Sequence, residues 1–172
     1  ICLFGPPLLH VDLKFVKLLD AGDRVDEPFV LWEREGKLTE VLSRGMGSYP
    51  DPDCQWIEDR FWVWIHYASA KIGRGELFET LEFISFLRVT VLGPLGLSTL
   101  QQRPNGVRRL EAVAPMLADE FMSTVSTPDS RSLVAGVKAC VEIYLRLRKL
   151  NNDPGLLIHK KAESAALDYL GE

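Results

Sequence analysis

The sequence predicts an α+β chain, predominantly α, with a fragment of β-sheet in residues 1–36 and a helical bundle in residues 37–172. Three observations carry this expectation. Apolar and polar residues alternate only near the amino terminus, which is the period of a strand. From about Lys37 onward the apolar residues recur at helical spacing. The composition, 47% hydrophobic and 26% charged, is that of a chain that closes around a core rather than a disordered or fibrous one.

The first element lies in residues 8–18, where Val11, Leu13 and Phe15 fall on one face and Asp12 and Lys14 on the other. Leu19-Asp20-Ala21-Gly22-Asp23 is turn chemistry, and Phe29-Val30-Leu31-Trp32 is a short β-prone run closed by Glu33-Arg34-Glu35-Gly36. Two strands are expected here. A short amphipathic piece at residues 38–42 then leads into a Gly/Pro-rich loop, and Asp53 is placed to cap the next helix. That helix, residues 54 to about 71, carries Ile57, Phe61, Trp64, Ala68 and Ile72 on one face. Trp56, Val63, Tyr67 and Ala70 lie on another, so neighbours are expected on more than one side. A second long helix is expected from Glu76 to about Leu92, ended by Gly93-Pro94. A third runs from Val107 to about Met122 with Pro115 as a kink or break. Thr127-Pro128 reads as an N-cap followed by Pro at the first helical position. The helix after it buries Val134, Val137, Val141, Tyr144 and Leu145, with Glu142 and Arg146 as an i,i+4 pair. Residues 160–170 close the chain as a short amphipathic helix.

Global properties narrow the function classes. The 20 Lys+Arg against 24 Asp+Glu leave a net charge of −4, so there is no overall basic excess to hold nucleic acid. Cys2, Cys54 and Cys140 are an odd number without metal-like spacing, which suits free thiols in a reducing, cytoplasmic compartment. The most apolar stretch, Phe83 to Leu100, carries Arg88 and Gly93-Pro94-Leu95-Gly96. It is read as a buried core helix, and no membrane partner is expected. The chain opens on Ile1 with no basic leader and reads as a piece of a longer protein.

Asp12 is the first candidate for chemistry. A carboxylate between apolar neighbours on a strand projects at a fixed angle and suits a Mg²⁺ ligand; by residue statistics alone a solvent-facing strand position is the commoner case. Glu76 reads as a first-turn acid favoured by the helix dipole, and Lys71 and Arg74 as end-of-helix cations.

The order of His10-Val11-Asp12-Leu13-Lys14-Phe15-Val16, Asp23-Arg24-Val25-Asp26-Glu27-Pro28 and Val30-Leu31-Trp32-Glu33-Arg34-Glu35-Gly36 resembles the end of a nucleotidyltransferase domain. The family is the polymerase-β-like superfamily that includes the bacterial aminoglycoside nucleotidyltransferases. Arg60-Phe61-Trp62-Val63-Trp64-Ile65-His66-Tyr67, followed by Lys71-Ile72-Gly73-Arg74-Gly75-Glu76, resembles the start of the helical domain that follows it in several members. The likeness covers most of residues 8–95. It implies that Asp12 is the third carboxylate of a Mg²⁺ site and residues 1–36 the carboxy-terminal remnant of the catalytic domain. Residues 37–172 become the helical substrate-binding bundle. It further implies a nucleoside triphosphate co-substrate, ATP first, with Lys71 and Arg74 toward its phosphate oxygens. The acceptor would be a small hydroxylated, aminoglycoside-like molecule, and Glu76 an acceptor-site base.

The family's Gly-Ser helix start and paired Asp-x-Asp have no counterpart before Asp12. Gly47-Ser48 and Asp51-Pro52-Asp53 match by letter alone: two residues separate them, and Pro52 disfavours a central strand. The chain by itself is therefore expected to be inactive and its parent an enzyme. The alternative is a helical binding or regulatory module carrying a degenerate nucleotidyltransferase remnant. Exposed strand edges in residues 1–36 would invite self-association.

Overall fold

The computed structural model describes residues 1–171 and divides the chain into two compact units, Ile1–Tyr49 and Pro50–Glu172.

In the first unit, strands β1 (Cys2–Phe4) and β2 (Leu9–Val11) pair antiparallel, with Cys2 opposite Val11 and Phe4 opposite Leu9. A 3₁₀ turn at Leu18–Gly22 and helix α1 (Lys37–Leu42) complete its regular structure. The long strand expected over residues 8–18 stops at Val11, and residues 29–34 form no strand. The physical reason is the lack of partners. The three residues of β1 can pair only as far as Val11, and no second layer among the described residues of this unit covers the alternating face. Phe15 is accordingly 91% exposed and Leu31 89%.

Polar contacts hold the unit instead. The Arg24 guanidinium donates to the Glu27 carboxylate, to the Leu42 carbonyl at 3.0 Å and to the Gly45 carbonyl at 2.6 Å. Glu27 also accepts from the Gly47 amide. Glu33 caps α1 by accepting the Thr39 amide at 2.9 Å.

The second unit is helical, as the periodicity predicts. Asp53 caps helix α2 (Cys54–Gly73) by accepting from the Trp56 amide. Buried Ile57, Phe61, Trp62, Ile65, Ala68 and Ile72 form its inner face. Trp64 only packs at the margin of the core, and the expected second apolar face carrying Trp56, Val63 and Tyr67 is largely open to solvent within this unit.

Helix α3 (Leu77–Leu87) does not end at Gly93-Pro94. It passes through a π turn at Arg88–Leu92 into α4 (Gly93–Thr99). Proline has no amide hydrogen and its ring clashes with the carbonyl four residues back. The wider turn, in which the Gly93 amide reaches the Arg88 carbonyl, absorbs that fault without breaking the helix. Leu77–Thr99 is long and apolar enough to cross a membrane by length and composition. Half of its most apolar window is buried inside the unit, where Ile84, Leu87, Val91, Leu92, Leu95 and Leu97 join the core.

Pro115 does break the next segment, into α5 (Leu110–Val113) and α6 (Pro115–Phe121). Helix α7 (Ser130–Asn151) is capped by Asp129 rather than Thr127: Asp129 accepts the Ser132 amide, and Thr127 donates its hydroxyl to Asp129. Arg146 pairs with Glu120 of α6, not with Glu142 in the expected i,i+4 pair. Helix α8 (Lys160–Gly171) packs on α2 and completes the bundle.

Candidate functional site

Three of the four residues singled out in the sequence meet at the turn between α2 and α3. Helix α2 ends when the Arg74 amide reaches back to the Ala70 carbonyl, and Gly75, at φ 76°, takes the left-handed conformation that reverses the chain. The Glu76 amide then bonds the Lys71 carbonyl, and the Glu76 carbonyl accepts the Thr80 amide to start α3. This short reversal folds the side chains of Lys71, Arg74, Glu76 and Glu79 onto one another.

Arg74 grips Glu76 in a bidentate pair, Nε to Oε1 at 2.7 Å and a second guanidinium nitrogen to Oε2 at 2.9 Å. The Lys71 ammonium lies 3.4 Å from Glu76 Oε2, donates to Glu79, and sits 4.3 Å from the centre of the Tyr67 ring. Its side chain is 3% exposed, whereas that of Arg74 is 54% exposed. The Arg74 pair, helped by Lys71, holds the Glu76 carboxyl down at about 2. The hydrogen bond to Glu79 raises Lys71 above the usual lysine range, against the opposing effect of burial.

At neutral pH Lys71, Arg74 and Glu76 are therefore charged, and each has an opposite charge beside it. Arg74 offers the solvent-facing positive charge. Glu76 would have to release a donor before it accepted a proton. Tyr67 and Glu79 complete the site and were not among the sequence candidates; the Gly75 reversal that brings Glu79 back to Lys71 is the signal that would have found the latter.

Asp12 lies in the other unit, one residue beyond β2 and not within a strand. Its side chain is 64% exposed, and Oδ1 lies 3.2 Å from His10 Nε2. One carboxylate beside one imidazole does not make a Mg²⁺ shell, which takes several oxygen ligands. No group of three His, Cys, Asp or Glu side chains among the described residues is placed to hold a metal. The residues present do not by themselves fit the ion.

A second charged network was not read in the sequence. Glu58, with 0% side-chain exposure, accepts from Trp62 Nε1 at 3.1 Å, Arg148 at 3.0 Å, the His159 amide at 3.0 Å and the Tyr144 hydroxyl. Arg148 reaches on to Glu163 at 2.9 Å. Burial disfavours the Glu58 charge, yet these donors outweigh it and keep the carboxyl below the ordinary range. Burial first, and Glu58 next, push the Tyr144 hydroxyl upward. With its carboxylate sealed from solvent and its acceptor positions taken, Glu58 ties α2, α7 and the start of α8 together rather than meeting a ligand.

No family model, no curated protein and no solved structure matches this chain.

Proposed function

We propose that the chain is the carboxy-terminal part of a Mg²⁺-dependent nucleotidyltransferase, which moves a nucleoside monophosphate from a triphosphate, ATP first, to a hydroxyl of a small acceptor. The observation that supports it is the convergence of Lys71, Arg74 and Glu76 at one turn. Arg74 is exposed and planar, and a triphosphate with several charged oxygens competes well with a single carboxylate for a guanidinium. Lys71, enclosed by Tyr67 and Glu79, fixes the position of Glu76. Displacement of Arg74 by phosphate would release Glu76 to face the acceptor.

Asp12 contributes one carboxylate, and the remaining metal ligands must come from another segment or subunit. The chain alone should release no pyrophosphate.

The second reading, a non-catalytic helical binding module, is favoured by one specific observation. Glu76 is held as a neutralised anion, which is a poor starting point for a base.

The product of the complete coding sequence decides between them. Incubated with ATP, Mg²⁺ and an aminoglycoside-type acceptor, it should release pyrophosphate. Asp12→Asn, which keeps the side-chain shape, should lower turnover by at least about two orders of magnitude. Near wild-type turnover in the Asn variant would end the role given to Asp12. Absence of pyrophosphate release from the wild-type protein with any triphosphate would leave the binding module.

A further inference from the structure

A groove of about 450 Å³ opens where three helix ends meet, and its lining residues Ile72 and Gly73 stand between Lys71 and Arg74 in the chain. The last turns of α2 contribute Ser69, Ile72 and Gly73, the first turns of α7 contribute Ser130 and Val134, and the end of α8 contributes Tyr169 and Leu170. Its volume falls within the range of small-molecule sites. Among the described residues the lining has a consistent chemistry: three hydroxyls, one aromatic ring, aliphatic side chains and no charged group.

We infer that this groove binds an uncharged, hydroxyl-bearing ring compound of the size of a sugar or cyclitol. A charged ligand would lose water there without gaining a counter-charge from the lining. An entirely apolar ligand would leave the hydroxyls of Ser130 and Tyr169 facing it without a ligand partner. A polyol satisfies both conditions, because hydroxyls donate and accept, and its C–H faces rest on an aromatic ring and on aliphatic side chains.

Two local details suit the assignment. The Ser69 hydroxyl already donates to the Ile65 carbonyl at 2.9 Å, so its remaining capacity is to accept a ligand hydroxyl. The Tyr169 ring packs against that of His66, with ring centroids 4.6 Å apart, and offers one face of the groove wall.

Gly73 supplies the test. A Cβ built there meets no protein atom within 4 Å, so a side chain at this position enters open space instead of disturbing the core. Gly73→Leu adds a helix-favouring residue to the end of α2 and should fill part of the groove without unfolding the bundle.

The experiment is an amide chemical-shift titration of the protein with methyl glucoside and sucrose, in the absence of nucleotide and Mg²⁺. The inference does not depend on nucleotidyl transfer, and under these conditions the failure of one is read separately from the failure of the other. Shifts should concentrate at Ser69, Gly73, Ser130, Val134 and Tyr169. Glucosamine and glucose phosphate, matched in shape but charged, should bind more weakly. Gly73→Leu should weaken sugar binding by at least about tenfold, as expected when a pocket is filled, with its unfolding temperature unchanged or raised. No saturable shifts up to the solubility limit would overturn the inference. So would equal binding by Gly73→Leu, or tighter binding of the charged analogues.

Discussion

Glu58 and Glu76 are both ionised carboxylates of the helical unit, and their surroundings give them opposite sensitivities. Glu58 is sealed, and its donors come from three separate stretches of chain. Glu58→Ala strands the Trp62, Tyr144 and His159 donors and leaves Arg148 with Glu163 alone. Removal of one partner from a buried charged pair costs about 3–5 kcal/mol, read as a lower urea midpoint at unchanged slope. A midpoint within error of wild type would show that water reaches and satisfies these groups.

Glu76 sits near the surface and titrates in a defined window. Its folded value, about 2, lies below the ordinary 4.5 of a glutamate. The unfolded chain therefore binds the proton first as pH falls. The stabilisation is fully present above pH 4.5 and is lost progressively as pH drops toward 2. Thermal unfolding followed from pH 7 down to pH 2 should show a component of the decline that Glu76→Gln removes. Parallel curves for the two proteins would mean that the Arg74 pair contributes nothing to stability.

At the scale of elements, helix periodicity was readable because each helix of the second unit finds its neighbours within that unit. Asp53 is legible as a cap from sequence because it directly precedes the apolar run, whereas Asp51 is set off from it by Pro52. The α7 cap is harder to place because Thr127 and Asp129 both qualify by residue type, and it is the Asp129 carboxylate that accepts the Ser132 amide. Passage of the helix through Gly93-Pro94 is not readable, since sequence gives the proline fault but not the π turn that absorbs it. A Cβ on Gly93 would lie 2.3 Å from the Gly106 carbonyl oxygen, so the glycine is there to let two backbones touch. Gly93→Ala should therefore destabilise by about 1–3 kcal/mol despite the higher helix propensity of alanine. Calorimetry reads this directly, and an unchanged or raised unfolding temperature would refute the close approach. The candidate cluster was legible in part for the same reason. Lys71, Arg74 and Glu76 are neighbours in sequence, whereas Tyr67 and Glu79 join them only once Gly75 has reversed the chain.

At the scale of the whole molecule the two units differ in what holds them. Strand alternation in residues 8–18 misled because an alternating face is only a demand for a cover. The described residues of the first unit supply none, and Val41 is the one buried residue among residues 1–49. A two-stranded hairpin is marginal in water, and Arg24, Glu27 and Glu33 hold this unit through contacts that are mostly solvent-exposed. The second unit encloses Phe61, Ile84, Leu133, Val137, Tyr144 and Leu147 in one continuous core. Local opening should therefore cost far less in residues 11–16 than in residues 137–145. Hydrogen exchange on the purified chain should show the amides of Val11 to Val16 exchanging early. Those of Val137 to Leu145 should exchange only with global unfolding. Equal protection of the two segments, in a sample shown to be monomeric, would mean that the exposed apolar row at Leu13 and Phe15 has a cover after all. Protection that appears only as concentration rises would instead identify that cover as a second copy of the chain pairing along the open edge.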